Sequence, residues 1–209
     1  MSHTKPRRAL EPSKPPAAAP RARGGSGTTH SPKRDRILVA YSSRLGSTAE
    51  IAACIGRVLS EAGAAVDVKA IDQVDGLEGY SRVVVGSAIR YDRWLSDARE
   101  FVTAHRQALS DVPVALFFTC LAMAKPEGAA KAASYAKGLC KLLPGANEAE
   151  VGRFAGVLSF SKAPRLTRMA LRVISWVTGV EEGDHRDWDA IRAWSEGLFR
   201  GPVPKAPPN

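Results

Sequence analysis

From Arg36 onward the chain alternates between short apolar runs and longer segments whose apolar residues recur at three- and four-residue spacing. These are the marks of buried strands and one-sided helices. Residues 37–41 predict a first strand, ending in the polar turn 42–48. Ile51, Ala52, Ile55, Val58 and Leu59 then fall on one helix face, with Ser47 or Thr48 as cap and Gly63 as stop. Residues 65–71 alternate loosely as a second strand. Residues 82–88 are continuously apolar, as a central parallel strand should be. A helix over 94–109 turns Leu95, Ala98, Phe101, Val102 and Leu109 inward. A fourth strand covers 112–122, with Pro113 near its start, where proline is tolerated. An alanine-rich helix over 127–143 stops at Pro144-Gly145. Residues 153–159 make a fifth strand, and a last helix over 187–199 places Trp188, Ile191, Trp194 and Leu198 on one face. Such alternation predicts an α/β domain, doubly wound, with helices on both sides of a five-stranded parallel sheet.

Between the fifth strand and the last helix lies an extra segment, 164–178. At about 100° per residue, Leu166, Met169, Ala170, Val173, Ile174 and Val177 share one side. Arg165, Arg168 and Arg172 gather opposite, with Trp176 at the margin. This basic amphipathic helix either lies in a lipid headgroup region or covers the sheet or a second protomer with its apolar stripe.

Charge changes the picture mainly at the N-terminus. Of the formal +9, residues 1–36 carry nine Lys/Arg against two acids, and the other 173 residues hold 21 basic against 19 acidic groups. Six of the 14 prolines also lie in this tail, with a Gly/Ser/Thr run and few large apolar residues. It cannot bury enough surface to offset its ordering entropy, so residues 1–35 are expected to be a disordered basic extension. The folded domain is expected over 36–200, with a Pro-rich tail at 201–209. Basicity confined to a tail argues against nucleic acid as a partner. The three cysteines, Cys54, Cys120 and Cys140, are widely spaced within apolar patterns, which fits buried reduced thiols and a cytoplasmic compartment. No run of about 18 apolar residues exists to span a bilayer.

In a sheet of order 2-1-3-4-5, ligands bind beyond the carboxyl ends of the strands, between strands one and three. The turn there offers hydroxyls at Ser43, Ser47 and Thr48, a permissive Gly46 and the free N–H groups of a helix start. That combination suits a phosphate dianion, although helix capping uses the same residue types. Neither G-x-G-x-x-G nor GxxxxGK[ST] occurs at this place, which argues against a classical NAD site and against an NTPase. No metal-ligand pattern and no obligatory acid or base stands out.

Ser43-Arg-Leu-Gly-Ser-Thr48 resembles the flavodoxin phosphate loop, in which a Ser/Thr-x-x-Gly-x-Thr turn encloses the phosphate of FMN. Gly86-Ser-Ala-Ile-Arg-Tyr-Asp-Arg-Trp94 and Leu121-Ala-Met-Ala-Lys-Pro126 are further similar to loops of the menaquinone-dependent protoporphyrinogen IX dehydrogenases. The likeness covers about residues 36–199. It implies a flavodoxin-like fold with FMN as cofactor. Its phosphate would be held by Ser43, Arg44, Leu45, Gly46, Ser47 and Thr48. The isoalloxazine ring would be bordered by Ser87, Ala88, Ile89, Arg90 and Tyr91, and by Thr119, Cys120, Leu121, Ala122, Met123 and Lys125. Tyr91 or Trp94 would stack on the ring or simply pack, and Arg90 would sit by the ring's electron-rich edge or pair at the surface. This chain departs at Leu45, polar in most relatives, and at Asp92 and Arg93, where relatives show Gly and His. The resemblance implies oxidation of a protoporphyrinogen-like substrate with a quinone, menaquinone or ubiquinone, as acceptor. It also favours contact between helix 165–178 and the inner face of the cell membrane. Two other readings stay open: an electron-carrier flavodoxin, and an NAD(P)H:quinone reductase without porphyrinogen activity. The oligomeric state is not legible.

Overall fold

The computed structural model describes residues 35–143, 146, 150–160 and 165–198. The expectations for the tails and for the Pro144-Gly145 stop lie outside them. Strand β1 (Arg36–Ser42), apolar from Ile37 to Tyr41, pairs in parallel with β2 (Ala65–Ala70) on one side and β3 (Arg82–Arg90) on the other. β3 continues in parallel to β5 (Val114–Thr119), and β5 to β6 (Gly152–Phe154). The parallel strands thus run in the expected order 2-1-3-4-5, with a short β4 (Arg93–Trp94) added antiparallel to the end of β3.

Alternate residues of each central strand serve opposite cores, which is why these runs carry no polar face. Leu38, Ala40, Val83, Val85, Leu116 and Phe118 pack under α2 (Ser96–Ala104), α3 (Arg106–Ser110) and α4 (Ala129–Cys140). Ile37, Val39, Val84, Ala115 and Phe117 pack under α1 (Ser47–Glu61) and α6 (Trp188–Gly197). All five apolar residues expected on the inner face of α1 are buried. The helix closes as anticipated at Gly63, whose N–H reaches the Ser60 carbonyl while that of Ala64 reaches Leu59.

Three features depart from expectation. The helix anticipated over 94–109 begins at Ser96 and breaks at His105, because Trp94 is spent on the β3–β4 hairpin. The fifth strand ends at Phe154, and Val157–Leu158 (β7) pairs instead with Gly183–Asp184 (β8) in a separate ribbon. Trp188 is exposed rather than inward, with the guanidinium of Arg186 over its ring at 4.4 Å. The extra helix α5 (Arg165–Thr178) forms as expected, and its described apolar side chains Met169, Val173, Trp176 and Val177 face solvent and not the sheet, one of the alternatives left open for its stripe. No helix among the described residues is long and apolar enough to cross a membrane.

Candidate cofactor site at the carboxyl ends of the strands

The turn after β1 is shaped by its own side chains. Ser43 Oγ accepts the N–H of Gly46 at 3.1 Å, closing a tight bend. Gly46 then sits at φ +95° as the residue before α1, a conformation that costs L side chains about 1–2 kcal/mol. The helix is therefore capped by Gly46 and not by a hydroxyl of Ser47 or Thr48: both already lie inside its first turn, with no side-chain cap. The N–H of Glu50 donates to the Gly46 carbonyl, and those of Ser47, Thr48 and Ala49 have no backbone acceptor among the described residues, as at helix starts generally.

The hydroxyl of Thr48 is used differently. It is fully buried and lies 2.8 Å from the hydroxyl of Thr119, itself 4% exposed, at the end of β5. Two hydroxyls carry two protons and their mutual bond consumes one. Among the described residues no acceptor takes the second. Gly156, beyond β6, adjoins this pair: a Cβ there would stand 3.5 Å from Ser47 Oγ and 3.9 Å from Thr119 Cβ. Three free N–H groups, the positive end of a helix and a spare hydroxyl proton fit a phosphate dianion.

Register brings the other loops to the same edge. Ser42 lies opposite Ser87, and Ala88 opposite Thr119. Ser42 Oγ donates to Asp97 Oδ2 at 2.8 Å, and the same carboxylate oxygen holds Arg44 at 3.6 Å. Asp97 thus ties the phosphate turn to the first turn of α2. Ser87, fully buried, accepts the N–H of Leu95 at 3.2 Å and so closes the base of the hairpin. At its tip Tyr91 and Asp92 stand at φ 50° and 60°, the two left-handed positions of a two-residue connection. Asp92 is anchored to α4 by Lys131 at 2.8 Å and by the Tyr135 hydroxyl at 2.6 Å. Those partners hold its carboxyl below the ordinary range, while burial and the same bond push the Tyr135 phenol up to about 12.

Tyr91 is 81% exposed, which removes ordinary packing as its role; Arg90 lies over its ring at 5.1 Å. Trp94 is the reverse, 3% exposed within the core under α2 and α4. After Thr119 the chain binds β6 through Cys120 N–H to Phe154 O, then winds as a short 3₁₀ turn over Leu121–Ala124. A Cβ at Gly128 would strike the Ala122 carbonyl, so only glycine lets the chain fold back beneath this loop. Burial pushes the Cys120 thiol up. Lys125 departs from the group: its Nζ lies by Gly179, at the carboxyl end of α5.

Three contributors were missed from sequence. Asp97 carried only the weak signal of an acid in a first helical turn. Gly156 carried none. Arg186 joins the Glu50 carboxylate of α1 to Asp184 of β8 although its side chain is only 8% exposed. Their proximity depends on strands distant in sequence. No cluster of metal-ligating residues occurs among the described residues.

A family model described as a flavodoxin domain matches residues 38–184. The chain belongs to the flavodoxin family. As a flavodoxin domain it binds FMN, and the turn just described meets the needs of that cofactor's phosphate. The flavodoxin domain is 36% identical over 94 residues to the protoporphyrinogen IX dehydrogenase [quinone] of Escherichia coli (strain K12), a match covering 44% of this chain and 52% of that one. It thus spans about half the length of that relative. A Leishmania major protein of the same name is 28% identical over 182 residues, 82% of this chain and 78% of its own. A solved flavodoxin from the domain Archaea aligns with TM-score 0.45 at 17% identity, over 68% of this chain and all but 1% of that one.

Proposed function

We propose that residues 36–200 form an FMN-dependent oxidoreductase that takes electrons from a protoporphyrinogen-type substrate and delivers them to a quinone. The observation that carries the reading is the phosphate turn, with its three unpaired N–H groups and the spare proton of the Thr48–Thr119 pair. The names of the two curated relatives supply the substrate and the acceptor. When bound, FMN supplies the hydride and electron transfer. The protein supplies position and electrostatics. Ser43–Thr48 hold the phosphate. Ser87–Ile89 and Cys120–Met123 offer backbone N–H and carbonyl groups to the ring, and Thr119 links them to the phosphate turn. Arg90 places a cation at the rim, where it stabilises negative charge on the ring, and Tyr91 is free to cover one ring face. Lys125, held at the end of α5, acts on the ring only through the loop it terminates.

The second element of the reading is a peripheral position on the inner face of the cell membrane. Met169, Val173, Trp176 and Val177 project from one side of α5 with exposures of 56–86%. A bare apolar stripe with a tryptophan, on a helix that also carries Arg168 and Arg172, suits insertion into a headgroup layer. It would place the flavin crevice near a quinone dissolved in lipid.

The test is an anaerobic assay of the FMN-loaded full chain with protoporphyrinogen IX and menadione, read as porphyrin fluorescence. Quinone-dependent porphyrin formation, lost in Gly46→Ala/Thr48→Val protein that no longer retains FMN, is expected. A reducible flavin with no porphyrinogen turnover would leave an electron carrier. For the membrane, wild-type protein should sediment with phosphatidylglycerol vesicles and Met169→Glu/Val173→Glu/Trp176→Glu protein should not; equal sedimentation of the two ends that part of the proposal.

A further inference from the structure

Behind the β3–β4 hairpin, on the side of the sheet covered by α2 and α4, lies a half-open cleft of about 570 Å³. That is ample for a compact small molecule. Its hairpin wall runs over Ile89 and Asp92–Trp94, α2 contributes Arg99, and the opposite wall is α4 with Leu142 just beyond its end. The Asp92–Lys131–Tyr135 contacts form one rim and balance each other. Arg93 and Arg99 have no carboxylate within ion-pair distance among the described residues. The cleft therefore carries two uncompensated guanidinium groups beside an apolar surface made by Ile89, Leu139 and Leu142. Gly138 widens it, since a Cβ there would meet nothing within 4 Å.

Trp94 lines the cleft while only 3% exposed, and its indole nitrogen is inaccessible from it. A hydrocarbon would leave both guanidinium groups unpaired, and a purely polar anion would leave the aliphatic wall wet. An anion on an apolar body answers both features.

We infer that this cleft is a second ligand site, taking a small apolar carboxylate whose acid group is held by Arg93 and Arg99 and whose body lies against Trp94, Leu139 and Leu142. Carboxylate is favoured because it pairs bidentately with guanidinium. Among the cleft's residues only Ile89 is also assigned to the flavin, and there through its backbone, so the inference stands whether or not the redox reading does.

The probes are 2-naphthoate and its neutral analogue 2-naphthamide, titrated calorimetrically into the full chain, with and without saturating FMN. Expected are one naphthoate site per chain, at least tenfold weaker naphthamide binding, and the same naphthoate affinity in the presence of FMN. Arg93→Gln/Arg99→Gln, an exposed pair whose loss leaves the core intact, should weaken naphthoate at least tenfold and leave naphthamide and FMN affinity unchanged. Equal binding of acid and amide, displacement by FMN, an unaffected arginine variant, or no saturable site would each overturn the inference.

Discussion

The Thr48–Thr119 bond joins the first turn of α1 to the end of β5, and a double-mutant cycle measures it. Both hydroxyls are essentially inaccessible and stand 2.8 Å apart. Thr→Val keeps the shape and removes the oxygen. Either single change strands the other hydroxyl without its partner in a dry site, a loss of about 1–3 kcal/mol. Taking about 2 kcal/mol for each, independent effects would sum to about 4. The double variant strands nothing, because both groups are replaced by apolar groups of the same shape, and should cost only about 1 kcal/mol. The expected coupling is thus on the order of 3 kcal/mol, at the upper end of what contacting residues show. Urea denaturation of the apoprotein reads it directly. In thermal scans each single variant should fall by roughly 4–8 °C and the double by roughly 2–4 °C. Additive singles, within about 0.5 kcal/mol, would refute the buried pair and with it the spare proton offered to the phosphate.

Gly46→Ala should destabilise the apoprotein by about 1–2 kcal/mol in the same denaturation experiment, and through backbone strain alone. Its Cβ would meet nothing nearer than Glu50 Oε1 at 3.8 Å. Arg186→Met, which strands Glu50 and Asp184, should cost about 1–3 kcal/mol by urea midpoint, the lower part of the range for charged contacts because both carboxylates are half exposed. Arg186 holds the Asp184 carboxyl below its ordinary value of 3.8, so the stabilisation is complete above that pH and is lost as pH falls through the lower folded value. Wild-type protein should therefore lose more of its melting temperature below about pH 4 than Asp184→Asn does. Iodoacetamide applied to native protein at pH 8 should modify Cys140 and spare Cys54 and Cys120, as peptide mass mapping would show; the latter two are buried and the Cys120 thiol is raised by that burial.

Most of the scaffold was written in local periodicity. A central parallel strand must be apolar on both faces and a covering helix on one, so Leu38 and Val39 could be told from the Ile51–Ile55–Leu59 face without coordinates. The alternation foretold the parallel sheet, the flavodoxin-like resemblance its order, and that order the place of the phosphate turn. Composition also marked α5 as two-sided.

Which way such a helix faces is a different matter: periodicity defines a stripe, and only packing decides whether Met169 and Trp176 meet the sheet or the solvent. The hairpin at Tyr91-Asp92 was illegible because its left-handed pair lacks the glycine that usually announces one; contacts from α4 hold Asp92 there. The same holds for Trp94, whose burial depends on the strand β4 that no local rule foretold. Arg186 reaches α1 across more than a hundred residues, and the two threonines meet across 71. Local sequence chooses the elements, because their hydrogen bonds and buried faces close within a few residues. Contacts between distant side chains arise only once the sheet has set the distances between its strand ends.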